Sequence, residues 1–144
     1  MTLGPNLLPA RADPAAVPAP NPHFARFGGA VAVQALVDAF YRAMDERPDA
    51  RAIRAPHPAD LSKTRRVLVA YLCEWMGGPA AFSAERGAPR LKRRHQAFAI
   101  DSAARDAWLA CMDDALAATC ADAGLRAELM AAFARVAQAI RNQP

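Results

Sequence analysis

Residues 87–95 read GAPRLKRRH and end in a histidine, His95. Pro89 can begin a helix without loss of a hydrogen bond, because the first N–H groups of a helix have no partner within it. His95 follows Leu91 by about one helical turn, so both side chains are expected on one face. A histidine in this place either packs or forms a hydrogen bond at the helix end, or it binds a ligand. His95 alone favours the structural role.

Four longer segments around this stretch show the periodicity of amphipathic helices, with apolar residues three or four positions apart. Their inner faces are Val33, Leu36, Val37, Phe40, Tyr41 and Met44; Leu61, Thr64, Leu68, Tyr71, Leu72 and Trp75; Ala104, Trp108, Cys111, Met112 and Ala115; and Leu125, Leu129, Phe133, Val136 and Ile140. No segment alternates like a β-strand, so the sequence predicts an all-α fold. Only short helices fit residues 77–100. So loose a stretch in a compact helical protein usually packs against another group, and a bound cofactor is one candidate.

Residues that start and stop helices give the expected boundaries. Proline and glycine are expected to end helices, and aspartate or serine side chains to cap their first turns. The expected boundary residues are Pro48, Asp60, Gly77-Gly78-Pro79, Asp101 or Ser102, and Gly124.

The N-terminal residues differ in composition from the rest of the chain. Residues 1–23 hold six of the twelve prolines, so we predict a largely disordered arm and a single globular domain at residues 24–144. His23 would lie in this arm, which argues against a zinc site made of His23, His57 and His95.

Composition excludes several classes of protein. No apolar run approaches the roughly 20 residues of a membrane helix, and no secretory signal is recognisable, so we expect a cytoplasmic protein without membrane association. Three cysteines, an odd number, do not make a disulfide framework. The net charge of +4 comes largely from basic clusters at residues 63–66 and 86–94. We rank a solvated helix face first, contact with a cofactor's carboxylates second, and nucleic acid a distant third, because no stacking aromatics lie among these cations.

A few polar side chains lie on the expected inner faces. Tyr41, Tyr71 and Trp108 each have a polar group that needs a partner when buried, which suggests a bound ligand that accepts hydrogen bonds. A lone imidazole over an apolar space walled by helices is what a haem iron needs on one side, and His95 offers it. The Cys-x-x-Cys-His signature is absent, so any haem would be held noncovalently.

An ordered set of motifs extends from about residue 24 to about residue 142. It comprises Phe40-Tyr41, His57-Pro58-x-Asp60-Leu61, Gly77-Gly78-Pro79, Pro89-Arg90-Leu91-x-x-Arg94-His95, Phe98-x-Ile100 and Arg105-Asp106-x-Trp108-Leu109-x-Cys111-Met112. In these motifs the chain resembles the group II truncated haemoglobins, short globins built as a two-over-two helical sandwich around a haem pocket.

The resemblance implies roles for individual residues. His95 would be the proximal ligand of the iron of haem b, and Arg94 the partner of a haem propionate. Tyr41, Trp108 and His57 would lie on the distal side, beside the bound ligand. The other residues expected to line the haem are Thr64, Leu68, Tyr71, Leu72 and Leu91.

Three positions depart from the pattern of that family. Ala88 stands where the family usually has a histidine near the haem edge, and Ala97 where it usually has a proline. Val67 replaces a basic residue that often contacts a propionate, with Arg66 beside it. These departures bear on the propionate contacts and leave the iron ligand unaffected.

The function expected from the resemblance is binding of O2 and other diatomic ligands. Tyr41 and Trp108 would donate hydrogen bonds to the ligand, with His57 as a third donor whose protonation state matters near neutral pH. Tight retention of the bound O2 would suit NO-dioxygenase or peroxidase-like chemistry, for which an unidentified reductase would be needed. The protein is expected to be a monomer or a homodimer. The alternative is a haem-free helical module that binds an acidic partner through its basic faces.

Overall fold

The computed structural model describes residues 22–144, and every helix predicted from periodicity is present in it. The helices are α1 (Phe24–Phe27), α2 (Gly29–Glu46), α3 (Arg51–Arg54), α4 (Ser62–Trp75), α5 (Ala81–Arg86), α6 (Leu91–Arg94), α7 (Ser102–Thr119) and α8 (Ala123–Ile140), with a 3₁₀ turn at Pro48–Ala50. No strand occurs among these residues, which confirms the all-α prediction.

The four long helices form two packed pairs. Helix α2 packs on α4, α7 packs on α8, and α2 also lies along α7 and so joins the pairs. This is the two-over-two sandwich that the resemblance implies. The short helices α5 and α6 occupy the region of residues 77–100, where the sequence predicted only short pieces. No helix within residues 22–144 is long and apolar enough to cross a bilayer.

One aromatic ring from each long helix contributes to a single cluster in the core. Phe133 of α8 stacks on Trp75 of α4 with 4.5 Å between ring centroids. Phe133 also meets Trp108 of α7 edge-on at 5.7 Å, and Trp108 meets Phe40 of α2 edge-on at 5.4 Å. Such offset and edge-on pairs add to the free energy of apolar burial. The cluster therefore holds all four long helices together.

Two predicted helix starts agree with the structure to within a residue. The carboxylate of Asp101 accepts a hydrogen bond from the Ala104 N–H at 2.8 Å and so caps α7. Asp60 stands one residue before Leu61, the N-cap of α4, and its carboxylate accepts from the backbone N–H of Ser62 at 3.0 Å. Asp60 thus still satisfies a free donor at the start of the helix.

Two other predicted starts were wrong. Gly124 lies inside the first turn of α8, and Asp122 is the N-cap that accepts from the Leu125 N–H. A glycine can sit in a first turn, and the Asp122 carboxylate satisfies a first-turn N–H donor that a glycine at the cap would leave without a side-chain acceptor. Pro89 lies outside α6, because Arg90 adopts a left-handed conformation with a φ of 44° and the helix begins after it.

The last residue of the predicted N-terminal arm contacts the folded domain. The backbone N–H groups of His23 and Phe24 both donate to the Met76 carbonyl at 2.8 Å. The His23 ring lies 3.1 Å from Glu128, so His23 belongs to the folded part. The rest of the predicted arm, residues 1–21, lies outside the described residues. Among those described, no three or more histidine, cysteine or carboxylate side chains are gathered in one place.

Removal of one ring from the aromatic cluster tests its role. Phe133 is 1% exposed, so we expect Phe133→Ala to lower the free energy of unfolding by about 3–5 kcal/mol, measured by chemical denaturation. Val31 is 83% exposed on α2, and Val31→Ala as a surface control should change it by less than about 0.5 kcal/mol. Equal effects of the two substitutions would contradict the proposed importance of the cluster.

Candidate functional site

His95 stands directly after the last residue of α6 and is half-buried. Its Nδ1 atom lies 2.7 Å from the carbonyl oxygen of Leu91. Because a carbonyl only accepts hydrogen bonds, Nδ1 carries the proton and donates it. The lone pair of the neutral ring is then on Nε2, which is the nitrogen available to a metal. The second nitrogen of a metal-binding histidine is usually held in this way.

The segment that follows His95 is fastened by a residue near the other end of the chain. The side-chain amide of Asn142 donates to the Phe98 carbonyl at 2.9 Å and to the His95 carbonyl at 3.4 Å. Its Oδ1 atom accepts from the Ile100 N–H at 2.8 Å. Sequence reasoning gave Asn142 no role, because a contact between residues so far apart leaves no local pattern.

A second group of side chains surrounds the ring of Phe40. Tyr41, which is 4% exposed, meets Phe40 edge-on at 5.0 Å between ring centroids. Trp108 meets the same ring at 5.4 Å, and the His57 ring lies 6.0 Å from that of Tyr41. We call Tyr41, His57 and Trp108 the distal group. A chain of ring contacts thus connects the three residues that the resemblance assigned to the distal side.

Two members of the distal group have polar hydrogens with no acceptor among the residues that the structure describes. Within residues 22–144, neither the Tyr41 hydroxyl nor the Trp108 indole N–H donates a hydrogen bond to another residue. Burial raises the pKa of Tyr41 to about 12, against a smaller opposing effect of Arg65. The phenol therefore keeps its proton near neutral pH. Both groups are available as donors to a small ligand.

His57 has a different hydrogen-bonding role. Its Nδ1 atom lies 2.8 Å from the Ile53 carbonyl, so this nitrogen carries the proton in the neutral ring. Nε2 of the neutral ring is then an acceptor, and it can donate only when the imidazole is protonated. The expectation that His57 is a third donor therefore applies only to its charged form.

The side chains of α4 assigned to the haem side differ in burial. Thr64, Leu68 and Tyr71 are half-buried, whereas Leu72 is 1% exposed and belongs to the core. The Tyr71 ring meets Phe82 of α5 edge-on at 5.7 Å. Burial, with a smaller effect of Glu74, raises the pKa of Tyr71 to about 12. Like Tyr41, this residue stays neutral near pH 7.

Arg94 has contacts that the sequence did not predict. Its Nε atom donates to the Pro89 carbonyl at 2.7 Å, and Nη2 donates to the carbonyls of Arg86 at 2.9 Å and Ala88 at 3.3 Å. The guanidinium also lies over the Phe82 ring, 5.2 Å from its centroid. Two of its three nitrogens are therefore bonded to the chain itself rather than left for the propionate expected from the resemblance.

The site as a whole has the donor set that a haem requires. His95 offers one free imidazole nitrogen, and the distal group offers two free donors on another part of the sandwich. No hydrogen bond joins His95 to the distal group in the part of the chain that the structure describes. A proximal histidine and distal hydrogen-bond donors are what globins use to hold haem and its ligand, so a helical sandwich with His95 after a short helix and donors elsewhere fits that class.

Comparison with known proteins agrees with this class. The family model of the bacterial-like globins matches residues 23–142. The chain therefore belongs to the bacterial-like globin family, and the group II truncated haemoglobins are its relatives. A globin of this family holds haem and binds diatomic ligands such as O2.

Relatives of known structure cover most of the chain. The cold-adapted truncated haemoglobin of the Antarctic marine bacterium Pseudoalteromonas haloplanktis TAC125 is 33% identical, with a TM-score of 0.82 over 86% of this chain and 99% of that one. The group II 2-on-2 haemoglobin of Agrobacterium tumefaciens is 36% identical, with a TM-score of 0.80 over 92% of this chain and 100% of that one.

A curated relative is similar over a shorter stretch. The group 2 truncated haemoglobin YjbI of Bacillus subtilis is 40% identical over 81 residues, which is 56% of this chain and 59% of that protein. The match therefore spans less than two thirds of that relative.

Titration of the two tyrosines tests the burial of the site. Because the pKa values of Tyr41 and Tyr71 are both raised to about 12, we expect the ultraviolet absorbance of phenolate to rise near pH 12 in the folded chain. In denaturant it should rise near pH 10. The folded state holds these protons more tightly, so the stability that they contribute is complete below about pH 10 and is lost as the pH rises towards 12. A folded-state midpoint near pH 10 would contradict the buried placement.

Proposed function

We propose that this chain binds haem b noncovalently, with His95 Nε2 as the proximal ligand and the distal group beside a diatomic ligand such as O2. The observation that supports the proposal most directly is the pairing of one free imidazole nitrogen with two donors, on buried Tyr41 and half-buried Trp108, that have no acceptor within residues 22–144. Haem, when bound, supplies the iron that takes the diatomic ligand. The chain attaches and orients the haem and donates hydrogen bonds to the bound ligand.

On the proximal side, the hydrogen bond from His95 Nδ1 to Leu91 fixes the orientation of the ring. It also makes Nε2 more basic, because partial transfer of the Nδ1 proton to the carbonyl adds electron density to the ring. We assign Leu91, Thr64, Leu68 and Tyr71 to the walls around the haem. Leu72, from its position in the core, would support that wall from behind.

On the distal side, the Tyr41 hydroxyl and the Trp108 N–H would hold a ligand that accumulates negative charge. Hydrogen bonds to a charged acceptor contribute about 1.5–3 kcal/mol each, so two of them slow ligand release by roughly 10²–10⁴-fold. Neutral His57 would act as an acceptor here and could orient a neighbouring hydroxyl. Release this slow suits redox turnover, such as NO dioxygenation or a peroxidase-like reaction with electrons from a separate reductase, better than oxygen delivery.

Replacement of the proximal ligand tests the haem site. We expect His95→Ala to weaken haem binding by more than the roughly 100-fold that loss of an outer-shell partner can cost, measured from the Soret band after haem titration. His23→Ala removes an imidazole that contacts Glu128 of α8 and that no motif assigns to the haem, so it should leave haem binding unchanged. Full haem content in His95→Ala would refute the assignment. A wild-type chain that takes up no haem would favour the helical interaction module.

Replacement of the indole tests the distal group. Trp108→Phe keeps an aromatic ring against Phe40 and Phe133 but removes the N–H donor, so O2 dissociation should become about 10- to 100-fold faster in stopped-flow experiments. Trp75→Phe removes an indole from the same aromatic cluster but on α4, outside the distal group. This control should change the rate by less than about twofold. An unaltered rate in Trp108→Phe would show that the indole donor plays no part.

A further inference from the structure

The segment between α5 and α6 has little support of its own. Residues 87 and 90 both have positive φ, 79° at Gly87 and 44° at Arg90, and residues 84–88 are exposed. Helix α6 that follows is a single turn, Leu91–Arg94. One turn of helix is unstable by itself, because nucleation orders several residues for a single hydrogen bond. The position of His95 at its end therefore depends on contacts from outside the turn.

Arg94 provides such contacts. It bridges the carbonyls of Arg86, Ala88 and Pro89 with two of its nitrogens, and these three carbonyls span the end of α5 and the whole link to α6. Its stacking over Phe82 adds a contact to the buried part of α5. A guanidinium is suited to this role because its donors are fixed in one plane, whereas a lysine ammonium cannot bridge several acceptors in the same way.

We propose that Arg94 is a positioning residue that holds the 86–90 link against α6 and thereby sets the placement of the His95 imidazole. It acts through the backbone, because its guanidinium donates hydrogen bonds to three carbonyl oxygens that would otherwise bind only water. The part of the proposal that concerns His95 as an iron ligand rests on the proposed function. The part that concerns the link does not.

A propionate partner is the competing role for Arg94. Only Nη1 remains without a protein acceptor, whereas the neighbouring side chains of Arg86, Arg90, Lys92 and Arg93 make no ion pair or hydrogen bond within residues 22–144. Those cations are exposed and can neutralise carboxylates at a haem edge. The geometry therefore favours the structural role for Arg94 and leaves the propionates to its neighbours.

The first experiment needs no cofactor. Hydrogen exchange of the full chain as purified, followed by mass spectrometry on peptides that cover residues 86–95, should be about tenfold faster in Arg94→Gln than in wild type, since loss of charged hydrogen bonds costs a factor of this order. Arg94→Lys should behave like Arg94→Gln. Arg93→Gln removes an exposed neighbouring charge without a protein partner and should exchange like wild type. Exchange in Arg94→Gln equal to that of wild type would overturn the proposal, as would full rescue by lysine.

The second experiment separates the two roles of Arg94. Wild type and Arg94→Gln are each loaded with haem and with haem dimethyl ester, in which both propionates are esterified and uncharged. If Arg94 positions His95, Arg94→Gln speeds pigment loss by a similar factor, about fivefold, with both pigments. The iron–histidine stretching band of the ferrous form should also shift or broaden. An effect confined to haem with free propionates would overturn the proposal. If even wild type takes up no pigment, the proposed function fails while the exchange experiment still tests the link.

Discussion

The contact between the rings of Phe40 and Trp108 joins the fold to the proposed ligand site. These residues belong to α2 and α7, the helices that connect the two layers of the sandwich, and their rings continue through Phe133 to Trp75. Phe40 is also the ring around which the distal group gathers. The packing that holds the layers together therefore also fixes the rings of Tyr41 and Trp108, the two proposed distal donors. A distal donor stabilises its ligand only if it is already in position, and the core of this protein provides that rigidity.

Much of the fold could be predicted from the sequence because long amphipathic helices leave a regular pattern. The inner faces of α2, α4, α7 and α8 follow a period of three to four residues, and the carboxylate of Asp101 caps α7 as expected. The errors fell where one local signal competed with another. Gly124 has a low helix propensity and so suggested a break, but Asp122, two residues earlier, already caps α8. Pro89 could have started a helix, but the left-handed backbone at Arg90 delays the start.

The site could be predicted only in part, for a similar reason. The candidate residues followed from motifs, and the structure gathers Tyr41, His57 and Trp108 into one group. Their roles as ligands remain predictions. The hydrogen-bond partners that set the chemistry could not be read from the chain, because they are backbone carbonyls. The Ile53 carbonyl makes neutral His57 an acceptor, and the Leu91 carbonyl frees Nε2 of His95.

The contacts of Asn142 couple two parts of the molecule that a reader of the sequence would treat separately. The final residues after α8 are usually the first to fray in a helical domain, and such fraying is normally harmless. Here the end of the chain is bonded to the segment directly after His95, so transient opening of the terminus would loosen the imidazole as well. A substitution or an attached segment that displaces residues 141–143 would therefore act on the placement of the imidazole from the opposite end of the sequence.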